Sequence, residues 1–390
     1  MENSLAKKLK RLNVVIVSHI FATGPALDLE EFIRLKVESL LFIGHPFSYR
    51  RETNSFYRYY SKGELKSEHK AIGWRMPDVL LYLKDAFYTL WWTGFANGKI
   101  DLYIGSDNFD AFLGLILKKL GKVNSVILYT IDYVPERFKS PILNFLYHYF
   151  DKECLKNCKV VWNVSPVMAR AREQYCGIKK AESVKQILVP LGMWYKRIPR
   201  LSFAKKEKYR LVFMGHILEK QGLDVVIKAL PKIARKFPKV SLLVMGTGEY
   251  ENNLKKLVNR LKLGKRVTFT GYVEKHEDIE NELVKSTISV AMYKPDPQSF
   301  TQWADPGKLK NYLAAGVPVV LTNVPPVARE IEEKRCGMIA EYEPDNFSQK
   351  INSLLGNRKL LQEYSNNAIK WARRFDWDIV FDKVLKQTLS

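Results

Sequence analysis

The stretch between Val290 and Thr322 constrains the fold more than any other part of this chain. It opens on the tail of an apolar run (Ile288, Val290, Met292), the pattern of a strand buried on both faces. A loop of Pro and polar residues follows, then a helix, a Gly316-Val317-Pro318 stop and a second buried run, Val317 to Leu321. Two buried strands joined through a helix form a βαβ unit, which implies a parallel sheet. In open α/β sheets, ligands sit where loops leave the carboxyl ends of the strands. Here that loop delivers Asp305, Pro306, Gly307 and Lys308 to a helix start, where first-turn N–H groups have no partner inside the helix. A lysine at such a terminus is suited to holding phosphate.

The same grammar recurs along the chain. Asn13–Ser18, Leu40–Ile43, Leu102–Gly105, Val126–Tyr129 and Val160–Ser165 read as buried strands, and Ile187–Gly192 closes the series. Tyr209–Met214, Val240–Met245, Val267–Thr270 and Cys336–Ala340 read likewise. With 390 residues the chain is too long for one core and fits two domains. The basic run Lys196, Arg197, Arg200, Lys205, Lys206, Lys208 places the boundary near Pro199–Lys208. Expected domains are 1–200, joined by 371–390, and 201–370.

The net charge of +22 admits nucleic acid, an anionic membrane or anionic small molecules as partners, beside the plain reading of a lysine-rich proteome. No recognisable nucleic-acid-binding motif supports the first. Four cysteines do not make a disulfide framework, and Cys154 with Cys158 lacks further ligands at zinc spacing. Residues 1–13 carry charge without an apolar core, and no apolar run approaches 20 residues. The expectation is a cytoplasmic protein, either free or peripheral on the inner face of the cell membrane. The helix expected over Asp78–Phe95 is apolar nearly all round, with Trp91 and Trp92 near its end; it reads as a core helix or as a membrane-interface surface.

The combination Asp305-Pro306-x-Lys308-Leu309-x-x-Tyr312-Leu313-Ala314-Ala315-Gly316 resembles the donor-binding segment of GT-B glycosyltransferases, family 4 in particular. The resemblance implies an α/β fold of two Rossmann-like domains facing a central cleft, with a C-terminal helix crossing back onto the N-terminal domain. It implies transfer of a sugar from a UDP- or GDP-linked donor to a glycan or lipid-linked acceptor, and it, not any spacing in the sequence, implies retention of anomeric configuration. Gly215-His216 and Lys220-Gln221-Gly222 stand where the family usually has Gly-Arg and Lys-Gly, so His216, Lys220 and Gln221 are donor-phosphate candidates with Lys308. Tyr272 and Val273 are candidates to contact the nucleotide base. Gly24 lies in a loop that faces donor phosphate in the family, or is a simple βα turn.

Asp132 replaces the family histidine that faces the reacting sugar, and a carboxylate there can orient a hydroxyl or act as a base. Asp107 is a further catalytic candidate or a helix N-cap. Arg137 and His19 are placed with the acceptor, Arg137 having Asp132 and Glu136 as alternative partners. Where the family has two glutamates, this chain has Trp303 and Asn311, with Asp305 the nearest acid. Without a metal, which this reading does not require, leaving-group charge falls to Lys308, Lys220 and the helix start after Gly307. The alternatives are a catalytically impaired sugar-binding homologue of this fold and, less favoured, a basic nucleic-acid-binding protein.

Overall fold

The computed structural model describes residues 2–20, 24–47, 53–73, 77–296 and 299–390. The chain divides into two compact units: Met1–Pro190 with Trp377–Ser390, and Leu191–Asp376.

Among the described residues, the first unit carries β1 (Asn13–Ile20), β2 (Ser39–Pro46), β3 (Phe56–Ser61), β4 (Glu64–Lys70), β5 (Ile100–Gly105), β6 (Val123–Thr130), β7 (Val160–Asn163) and β8 (Gln186–Leu188). They form one sheet in the order β4-β3-β2-β1-β5-β6-β7-β8. All neighbours pair in parallel except β2–β3 and β3–β4, which are antiparallel. The β3–β4 hairpin turns on Lys62 and Gly63, whose φ values of 50° and 86° are those of a type I′ turn. Every residue of edge strand β4 is exposed, and its alternating Glu64, Lys66, Glu68 and Lys70 discourage further strand pairing. The direction of winding reverses between β1 and β5, and a ligand crevice is expected outside their carboxyl ends.

The last helix, Trp377–Leu389, completes this unit. Phe381 packs 5.3 Å from Phe32, and Trp162 of β7 donates its indole N–H to Thr388 at 3.0 Å. The returning helix expected from sequence therefore belongs to the first unit from Trp377 onward.

The second unit holds β9 (Arg210–Met214), β10 (Ser241–Met245), β11 (Val267–Gly271), β12 (Ile288–Ala291), β13 (Val319–Leu321) and β14 (Gly337–Ile339). Their order, β11-β10-β9-β12-β13-β14, is the 3-2-1-4-5-6 arrangement of the doubly wound fold, parallel throughout. One core lies on each side of the sheet. Leu211, Phe213 and Val244 face one, while Val212, Met245 and Leu313 face the other.

The unit begins at Leu191, earlier than the basic run suggests. That run is built into the second unit. The Met193 amide donates to the Phe375 carbonyl, and Arg200 donates to the Ala314 carbonyl. Lys206 is buried and donates to the carbonyls of Val284, Ser286 and Ala315, burial pushing its pKa down to about 8. Counting lysines marks this segment as a linker; its contacts tie it to the second unit, with Lys206 buried.

Candidate functional site

In the second unit the winding reverses between β9 and β12, and the conformations at their carboxyl ends are tightly determined. Gly215 follows β9 with φ 130°, and Gly222 ends the next turn with φ 66°. A Cβ on Gly222 would lie 1.7 Å from the carbonyl oxygen of Met292, just beyond β12, so only glycine fits. The helix Gly307–Ala314 packs against the same edge, its Tyr312 hydroxyl accepting from the Met214 amide at 2.7 Å.

Lys308, in the first turn of that helix, reaches back over the sheet end. Its Nζ donates to Gln221 Oε1 at 2.6 Å and lies 4.3 Å from the Phe213 ring centroid. A Cβ on Gly215 would sit 3.4 Å from this Nζ, so Lys308, Gln221 and Gly215 share one spot. Burial pushes the Lys308 pKa down to about 7. No side chain caps the start of the helix at Pro306 and Gly307. An ammonium beside an uncapped helix N-terminus at a sheet switch point is equipped to receive an oligo-anion.

The other candidates of this unit sort around that point. The Lys294 amide donates to the Lys220 carbonyl at 3.0 Å, which ties the turn after β9 to the segment after β12. His216 is exposed directly after Gly215, and Asn311 is half-buried one helical turn past Lys308. Tyr272 is exposed and Val273 half-buried beyond β11, at the sheet edge. Leu309 lies fully in the core, so its side chain packs rather than faces a ligand. Asp305 is buried with one oxygen ion-paired to buried Lys310 and the other accepting the Leu191 amide at 3.0 Å. Both oxygens are committed, so it holds the entry to the helix. Trp303 is half-buried directly after the short helical turn Phe300–Gln302.

In the first unit the switch between β1 and β5 gathers a second set of polar groups. His19 Nδ1 lies 3.1 Å from Asp107 Oδ2 and 3.6 Å from Asp110 Oδ2, and its Nε2 lies 3.3 Å from Asp85 Oδ2. Asp85 in turn lies 3.2 Å from His45 Nδ1 and 3.1 Å from Lys84 Nζ, and accepts from Ser55 at 3.1 Å. Burial works against charge on His19, but the carboxylates of Asp110, Asp107 and Asp85 outweigh it and hold the imidazolium well above its usual range. Burial opposes the ionised forms of Asp85 and Asp107 as well, and their histidine contacts keep both pKa values below the usual range. Asp110 goes the other way: burial and the neighbouring Asp107 raise it.

Asp107 is the helix N-cap, and it also faces His19. Its Oδ1 caps the helix Asn108–Lys119 by accepting the Asp110 amide at 2.8 Å, and its Oδ2 faces His19. With both ring nitrogens of His19 engaged, the partly exposed carboxylate of Asp107 is the member of this group open to a hydroxyl. Donor atoms of His19, Asp107 and Asp110 also converge within 4.8 Å, close enough to hold a cation among the described residues. The imidazolium already supplies a positive charge at that spot.

Asp132 follows β6, exposed, and accepts from Arg137 at 3.0 Å, so the arginine takes the carboxylate partner rather than standing open. Gly24 precedes the helix Pro25–Ile33 in extended backbone, and a Cβ there would meet no described atom within 4 Å. The preceding residues of that loop, 21–23, lie outside the described residues.

Asp85, Asp110 and His45 were not singled out in the sequence. The available signal was the spacing of Asp85, Thr89 and Thr93, four residues apart in an otherwise apolar helix.

Residues 196–371 match the family model described as glycosyl transferases group 1. An uncharacterized glycosyltransferase of Haemophilus influenzae is 23% identical over 192 residues, covering 49% of this chain and 50% of the relative. The match thus spans about half the length of that curated relative. Sucrose-phosphate synthase from Thermosynechococcus elongatus superposes with a TM-score of 0.71 at 16% identity, covering 97% of this chain and 99% of the other. An Anabaena HepE structure in complex with UDP and glucose gives a TM-score of 0.66 at 15% identity, covering 97% of this chain and all (100%) of the other.

Proposed function

We propose, from the match of residues 196–371 to the group 1 glycosyl transferases and from the GT-B fold of the chain, that it transfers a sugar from a UDP- or GDP-linked donor to a glycan or lipid-linked acceptor. The observation that carries this reading is the position of Lys308, at an uncapped helix start beside Gly215 and Gln221, over the switch point of a 3-2-1-4-5-6 sheet. In the reaction the bond from the anomeric carbon to the donor phosphate breaks and negative charge grows on the departing phosphate. Lys308, the N–H groups of the first turn after Pro306, and Lys220 are the groups we assign to that charge, without a metal.

His216 and Gln221 donate hydrogen bonds to phosphate but bring less charge than arginine and lysine would. Asn311 is assigned to the ribose diol, and Tyr272 with Val273 to the base. On the acceptor side we assign Asp107 and Asp132 to the hydroxyl, with His19 and Arg137 holding them. Retention at the anomeric carbon is part of the proposal. Four unpaired cysteines fit a reducing compartment, and no helix among the described residues is long and apolar enough to cross a membrane; we place the protein at the cytoplasmic face.

A thermal-shift screen with UDP, GDP, ADP, CMP and their sugars, run without added metal, tests this reading. A rise with one nucleotide class identifies the donor base. No rise with any of them would favour an impaired homologue in which Trp303 and Asn311 have cost the donor site its grip.

A further inference from the structure

Helix Asp78–Phe95 is amphipathic in reverse. Three of its polar residues, Asp85, Thr89 and Thr93, four apart, are at most 2% exposed. Asp85 faces His19 and His45, and Thr89 Oγ1 lies 2.8 Å from His45 Nε2. Its apolar residues Val79, Leu83, Phe87, Trp91 and Phe95, also four apart, are 46 to 79% exposed. A helix bordered by water presents the opposite arrangement. The two tryptophans divide accordingly: Trp92 packs edge-on against Tyr57 of β3 at 5.2 Å, while Trp91 stays outside with Phe87 at 5.2 Å.

A second ridge lies in the same helical layer. Ile142, Phe145 and Tyr149 of helix Pro141–Asn157 are 45 to 72% exposed. Between the two runs helix Asn108–Lys119, whose Phe109 ring is 5.4 Å from Tyr82 on one side and 5.7 Å from Phe150 on the other. Apolar ridges of this extent on a protein surface mark an interaction site.

The rim of this face is basic. Lys122 donates to the Ala96 carbonyl at 2.6 Å and Lys118 to the Asn157 carbonyl at 3.4 Å, which brings both to the ends of the flanking helices. Exposed Lys119 and Leu120 lie between them in sequence, and exposed Lys99 follows the first helix. Of the nearby acids, Asp101 accepts from Asn13 and Asn124, and Glu153 accepts from Asn157.

We infer that this face docks on an anionic lipid bilayer, with Leu83, Phe87, Trp91 and Phe145 at the boundary of headgroups and acyl chains and the lysines on lipid phosphates. Exposed Trp, Phe and Leu beside lysines are the composition of a segment that lies in the interface plane. Lysines near an anionic leaflet add attraction that salt screens. The inference deepens the lipid-linked acceptor reading. Asp85 and the docking ridge occupy opposite sides of one helix, so the His19–Asp107 group stands about 10 Å, one helix diameter, from the bilayer.

Flotation of the full chain with vesicles, in the absence of any donor, tests the surface separately from the transfer reaction. Vesicles of equimolar phosphatidylglycerol and phosphatidylcholine should carry the protein up, and phosphatidylcholine alone should carry much less. Replacing Leu83, Phe87 and Trp91 together by Ser should cut the bound fraction about tenfold with little change in Tm, because these side chains are exposed. Lys118→Glu with Lys119→Glu should remove the preference for phosphatidylglycerol. Flotation of the serine variant equal to wild type would overturn the inference. So would a wild-type dimer that fails to float and that the serine substitutions dissociate, since a second copy would then be what covers the face. Flotation that holds while no lipid-linked acceptor is glycosylated would retain the surface and remove the acceptor reading.

Discussion

The ammonium of Lys308 donates to the side-chain amide of Gln221 at 2.6 Å, so the cation at the second unit's switch point has a neutral partner there. Burial holds its pKa near 7, leaving the free protein with only part of the charge that a phosphate would call up.

Lys308→Ala should therefore weaken UDP or GDP binding roughly ten- to a hundredfold, the worth of one charge-assisted hydrogen bond, and leave Tm unchanged or raised. Isothermal titration calorimetry checks both affinity and fold. Unchanged affinity would remove Lys308 from the phosphate site.

The same lysine sets a pH dependence. A bound phosphate raises its pKa, so binding takes up a proton where the free lysine is neutral, and nucleotide affinity should fall as pH rises above about 7. Calorimetry at pH 8 in buffers of different ionisation enthalpy reads that proton directly. Lys308→Met should abolish the buffer dependence.

His19 predicts a stability effect of defined sign. Its folded pKa is raised, so the native state binds the proton more tightly than the unfolded chain. The stabilisation is complete below the unfolded value near 6.5 and is lost as pH rises through the folded value. Asp85 and Asp107 are depressed, and their contribution is lost as pH falls below the ordinary carboxylate range. Tm against pH should fall on both sides, and His19→Gln should flatten the alkaline limb. An unchanged alkaline limb in that variant would place the titration elsewhere.

Asp132→Asn should lower turnover more than donor affinity. Its ion pair with Arg137 is partly exposed, and such pairs contribute about 0–1 kcal/mol, so Tm should hardly move. Initial rates over a donor series separate the two terms; equal losses in turnover and donor affinity would assign Asp132 to donor binding.

Gly222→Ala should destabilise the second unit by about 1–3 kcal/mol or more, because φ is positive and the methyl group meets the Met292 carbonyl oxygen. Gly24→Ala provides the contrast. With no described atom within reach of the added carbon it should leave Tm unaltered, and any loss of donor or acceptor affinity would then report on the ligand's approach to that backbone.

Much of the fold was legible because strands buried on both faces announce themselves as unbroken apolar runs. Asn13–Ser18, Leu102–Gly105 and Tyr209–Met214 all lie on or within a residue of observed strands. The hairpin of β3 and β4 was not drawn, although Phe56-Tyr57-Arg58-Tyr59-Tyr60 followed by Lys62-Gly63 carries its signature. A half-exposed edge alternates less clearly than a core strand. Lys308 and Gln221 could both be assigned to one phosphate because the turn after β9 and the helix start after β12 match the family's donor segments. The His19 group could not be assembled, since Asp85 arrives from a helix whose apolar composition suggested core. Composition alone does not say which side of that helix faces inward; only the phase of Asp85, Thr89 and Thr93 does.

The union of Trp377–Leu389 with the first unit bears on how the protein is made. Trp162 waits for Thr388, and Phe32 for Phe381, partners separated from them by the entire second unit in sequence. During synthesis the second unit has its full complement of residues first, although it starts later, while the first must hold an incomplete surface until the last helix has left the ribosome. The first unit is thus completed by a segment translated after the entire second unit, and a nascent chain stalled before Trp377 would lack Phe381 and Leu385, both buried in the full chain.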